Sequence, residues 1–138
     1  MEIKVENVNW RTAAFATAIV VLAFVCSAAD KKQLTAALAA VEINLKTSEG
    51  KRYDEMIGKE FPAKYLASIK ECKRSNPSSS TDPFDLFLKL DTEGRTAEAL
   101  VYPETPMSLC SRKALAAIQF SPPPHGEYWI NIHLQIKR

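Results

Sequence analysis

Three cysteines, two histidines and sixteen carboxylates are the groups in this chain that could hold a metal, attack a substrate or move a proton. A structural zinc site needs four closely spaced ligands, and neither His125 nor His133 stands at such a spacing from Cys26, Cys72 or Cys110, so no metal is expected. Ser108, Ser111 and His125 carry no local signature of a nucleophilic triad, and Gly-x-Ser-x-Gly and His-Glu-x-x-His are both missing. Four glycines in the whole chain include no phosphate-cradling loop. Asp85 with Asp91, or Glu98 with Glu104, could be paired for acid–base work, but strand spacing explains them as solvent-facing positions. The residues therefore predict a protein that binds, with no enzyme activity and no cofactor.

How the cysteines count depends on the N-terminus. Ala13 to Ala29 carries no charge, follows Arg11, ends in Ser27-Ala28-Ala29 and is succeeded by Asp30-Lys31-Lys32. Small residues at the positions a signal peptidase reads predict export with cleavage after Ala29, residues 1–29 being the signal peptide. The alternative is an uncleaved inner-membrane anchor facing the periplasm, since the apolar run is close to the minimum that spans a bilayer. Cleavage removes Cys26 and leaves Cys72 and Cys110. In an oxidising periplasm that even pair predicts a disulfide. The formal charge of +2 is too small to draw nucleic acid or anionic lipid, so membrane contact is expected only through an uncleaved N-terminal segment.

The elements that must position these residues follow from periodicity. The chain is sized for one domain, with 46% hydrophobic and 25% charged residues. Leu34, Leu38, Val41 and Leu45 recur at helical spacing and predict an amphipathic helix over 31–46. A second helical stretch, from about Arg52 to Arg74, is expected to divide at Phe61-Pro62, because proline suits a helix's first turn. Residues 30–61 thus form a helical N-terminal segment and 62–138 an α+β domain. Asn76 to Pro83 is a loop. Phe84 to Leu90 alternates as a strand, Gly94 supplies the positive φ of a tight reversal, and Arg95 to Tyr102 returns antiparallel. Thr105-Pro106 caps a helix to about Phe120, and Ser121 to Gly126 stops it. Tyr128, Ile130, Ile132, Leu134 and Ile136 then alternate with Trp129, Asn131, His133 and Gln135 as the last strand.

The resulting order, α-β-β-α-β preceded by an extra N-terminal helix, carries a resemblance. FPAKYLASIKEC, LDTEGRTAEALVY, ALAAIQFSPPP and EYWINIHLQI, in that sequence, look like the C-terminal domain of TonB-type energy transducers, specifically its two-cysteine relatives. The resemblance implies a three-stranded antiparallel sheet packed by helices on one face, the last strand lying beside the first and presenting an edge. It also implies that Glu127 to Ile136 pairs with an extended peptide of another envelope protein. The chain departs from the transducers in lacking a proline-rich spacer, and its apolar run lacks the polar residue through which such anchors couple to a motor.

Partner-binding residues are accordingly expected along the last strand: Tyr128, Trp129, Asn131, His133 and Gln135. The adjacent aromatics must face opposite ways, and the unbroken apolar set from Tyr128 to Ile136 turns Trp129, Asn131 and His133 outward. The expected partner is a protein or peptide of the cell envelope, met in the periplasm or outside the cell. Two alternatives remain: a structural or inhibitory protein docking through an exposed stripe at Leu34, Leu38, Val41 and Leu45, and a short energy transducer.

Overall fold

In the computed structural model, residues 3–5 and 28–136 are described. The expected export segment falls mostly on residues 6–27, outside the described residues, and Ala29 lies in the first turn of a helix. The elements are β1 (Ile3–Val5), α1 (Ala28–Lys46), α2 (Ser48–Lys64), α3 (Leu66–Ser75), β2 (Phe84–Leu90), β3 (Thr96–Tyr102), α4 (Pro106–Ala116) and β4 (Tyr128–Ile136). The protein is α+β, and after its first helices runs α-β-β-α-β around antiparallel strands ordered β4-β2-β3. β1 adds a short fourth strand on the far side of β4.

The expected helix break is displaced. α2 runs through Pro62 and ends at Lys64, where Tyr65 begins the turn into α3. Proline at this place is tolerated because Ile57 and Phe61 hold the turn into the core, and a buried apolar stripe outweighs one missing backbone donor. α2 also crosses the expected boundary at residue 61, with Tyr53, Ile57 and Phe61 entering the same core as Ile69, Leu86, Leu115 and Leu134. α2 and the α+β domain thus share one core.

Period two holds across the sheet. Phe84, Leu86, Leu88 and Leu90 of β2, with Tyr128, Ile130, Ile132, Leu134 and Ile136 of β4, form the inner face beneath α2, α3 and α4. β2 pairs with β4 from Phe84↔Leu134 to Leu90↔Tyr128, and with β3 from Asp85↔Tyr102 to Leu90↔Thr96, a bulge interrupting the latter near Ala97. The β2–β3 reversal depends on Gly94, at φ 81°. A Cβ there would also lie 2.2 Å from the Phe120 carbonyl oxygen. Thr105 caps α4 as expected: its hydroxyl accepts from the Ser108 N–H at 3.1 Å, and Ser108 Oγ accepts from the Thr105 N–H at 2.8 Å.

The outer face is not bare. α1 lies across it, burying Ala37 and Val41 against Phe87, with Leu34, Leu38, Leu45, Leu100 and Trp129 half-buried around them. Phe87, alternating with the inner-face residues of β2, is buried for this reason. The extra N-terminal helix therefore makes the second layer of a sheet covered on both faces.

Candidate functional site

The predicted contact residues separate by face. Tyr128, expected at the contact surface, has its side chain in the core, 3% exposed, its ring edge-on to Tyr53 at 5.1 Å. Membership of the unbroken apolar set decides its place. Trp129, Asn131, His133 and Gln135 are half-buried on the opposite face, as the alternation requires. They do not form one open strip, because α1 and the neighbouring strands engage them.

Trp129 packs beside α1 and under the Lys89 ammonium, 5.5 Å from the ring centroid; that ammonium also pairs with Glu98 at 2.9 Å. Asn131 lies opposite Phe87, and its side-chain Oδ1 is buried without a hydrogen-bond partner among the described residues. His133 lies opposite Asp85, with Nδ1 and the carboxylate 3.0 Å apart. Between these rows, α1 and Tyr102, a cleft of about 300 Å³ opens, lined by Leu34, Leu38, Asp85, Phe87, Tyr102 and Asn131. Tyr102 is 57% exposed at its mouth.

The last strand is not the free edge that the resemblance implies. β1 pairs antiparallel on its outer side, Ile3↔Ile136, Lys4↔Gln135 and Val5↔Leu134. At the strand's other end Asn44 of α1 donates from Nδ2 to the Trp129 carbonyl at 3.0 Å. In an antiparallel ladder both backbone groups of a residue point to the same side, alternating along the strand. A Trp129 carbonyl held from α1 therefore turns the backbone groups of Asn131, His133 and Gln135 outward too. Among the described residues, Asn131 and His133 are left between the two caps with no strand on their outer side. Uncovered edges are commonly blunted, here by a side-chain cap and a short strand rather than by charge or proline.

Two contributors escaped sequence reading. Ile3–Val5 is too short to register as alternation. Asn44 was visible as a polar residue three places after Val41 on the buried stripe, the spacing at which a helix face repeats. That stripe, expected to be exposed if the helical half docks a partner, is packed on the sheet, and the large apolar residue that α1 exposes is Ile43.

Cys72, at the end of α3, and Cys110, in α4, form the predicted disulfide, with Cα atoms 5.7 Å apart. Such bonds persist in oxidising compartments, which is compatible with an extracytoplasmic location. Among the described residues no helix is long and apolar enough to cross a membrane, and no group of three or more His, Cys, Asp or Glu is placed to hold a metal ion.

The fold and site define an α+β domain whose distinguishing feature is a partly capped sheet edge along β4. Comparison with protein-family models, curated proteins and solved structures finds no match to this chain.

Proposed function

We propose that this chain is an exported, non-enzymatic binding module of the TonB C-terminal-like class, working in the periplasm by taking an extended segment of another envelope protein along the outer side of β4. The observation that carries this reading is the pairing of Ile3–Val5 with Leu134–Ile136: an extended segment sits on that edge in antiparallel register. Strand addition draws its affinity from main-chain hydrogen bonds and its selectivity from alternate side chains. Asn131 and His133 supply outward backbone groups next to the occupied stretch, and Asp85, Asn131 and Tyr102 meet at the cleft over the same strands.

Asn131→Pro tests the reading, since proline deletes one outward donor without touching the inner-face apolar set. The expected result is an unchanged circular dichroism spectrum with loss of envelope-protein capture from periplasmic extract. Undiminished capture by a folded Asn131→Pro protein overturns it.

A further inference from the structure

Resting on that reading, we infer that Ile3–Val5 is a built-in occupant of the β4 edge, which export removes, and that the partner replacing it is an extended segment with apolar residues at alternate positions.

The register supports the choice of partner. Ile3 and Val5 stand opposite Ile136 and Leu134, residues of the inner, core-facing set, while Lys4 stands opposite Gln135 of the outer set. Residues directly opposite in an antiparallel pair share a face. A segment that replaces β1 in this register must therefore bring apolar side chains to the two inner positions and tolerates a polar one between them. The outward set of β4 ends with Gln135, so the Lys4–Gln135 pair is the one whose backbone groups meet across this edge.

Topology supplies the removal. Ile3–Val5 precedes the uncharged run from Ala13 to Ala29, whereas β4 follows it. Cleavage after Ala29 separates β1 from the domain. If the run instead spans a bilayer uncleaved, β1 and β4 lie on opposite sides of the membrane. Either course leaves Leu134–Ile136 vacant once the domain is outside the cytoplasm. Before then the tether keeps β1 at an effective concentration in the millimolar range, so a free peptide competes poorly. The same strand covers an edge that would otherwise invite pairing between copies.

The test uses the full chain, unaltered and carrying Lys4→Pro, which deletes the β1 donor that meets Gln135 and leaves every core residue unchanged. Amide exchange at Gln135 reads β1 occupancy, and NMR titration with a synthetic peptide of residues 1–8 reads the vacancy. Lys4→Pro is expected to lower protection of the Gln135 amide at least tenfold, and to tighten uptake of the peptide at Leu134–Ile136 at least tenfold. Equal protection and equal uptake in both chains overturn the built-in occupant and leave the strand-accepting edge standing. Lost protection in the Lys4→Pro chain with no peptide response at millimolar concentration overturns both.

Discussion

Two tyrosines in one core show how differently a phenol can be accommodated. Tyr53 donates its hydroxyl to the Ser121 carbonyl at 2.6 Å, and burial, then the neighbouring Tyr128, pushes its ionisation well above the ordinary tyrosine range. Tyr65 has its ring between Phe61 and Phe120, at centroid distances of 5.4 and 4.7 Å, and its hydroxyl is buried with no hydrogen-bond partner among the described residues. A buried hydroxyl left unpaired costs roughly 1–3 kcal/mol, whereas a satisfied one contributes about 1 kcal/mol. Tyr65→Phe is therefore expected to hold or raise the melting temperature, and Tyr53→Phe to lower it by about 5 °C, measured by differential scanning calorimetry. A fall for Tyr65→Phe as large as that for Tyr53→Phe would show that the Tyr65 hydroxyl is bonded after all.

At the level of elements, the β2–β3 reversal is held by one carboxylate. Asp91 Oδ1 accepts from the Glu93 and Arg95 N–H groups, each at 2.9 Å, and Oδ2 accepts from Arg95 Nε at 3.0 Å. The backbone bond from Arg95, followed by its guanidinium, holds the carboxyl below its usual range. Since the folded state depresses this pKa, its contribution is present above the unfolded value, about 3.9, and fades as pH falls through the lower folded value. Asp91→Asn should melt below the unaltered protein at pH 6, with the difference closing as pH falls through the depressed folded value; a pH-independent gap would assign the effect to shape rather than charge.

This hairpin was legible from sequence because its signals are local: Asp91 and Gly94 at turn spacing, with alternation on both sides. The last strand was legible for the same reason, and the cysteine pair from parity once Cys26 is set aside. The placement of α1 was not, because a stripe of Leu34, Leu38, Val41 and Leu45 states that the helix buries a face without naming the surface it meets. Phe87 held the complementary clue, an aromatic in the polar register of β2, and it reads as a second buried face only when α1 is set against it. The state of the β4 edge was equally hidden, since it depends on residues 85 or more positions away.

Across the whole molecule, the disulfide ties the two helices that flank the β2–β3 hairpin, closing a separation of 38 residues. The chain-entropy model assigns such a loop about 3–4 kcal/mol. Replacing both cysteines by serine is expected to lower the melting temperature by on the order of 15 °C while the far-ultraviolet spectrum at 20 °C keeps its shape. A shift below about 3 °C would mean that inner-face packing alone defines the fold.

The two sides of the sheet also end differently. β3 terminates one side with a bulge near Ala97 and Glu98 paired to Lys89, while on the other side β1 covers only the Leu134–Ile136 end of β4 and leaves the regular backbone at Asn131 and His133 uncovered. Indefinite head-to-tail stacking of copies requires two mutually complementary margins, and a bulged margin is a poorer complement to a regular one than a second regular margin is. Two copies meeting through their regular margins do so about a twofold axis, and each then presents its bulged margin outward. Self-association of this kind closes at a dimer, so the domain can keep an accepting margin without seeding a fibre.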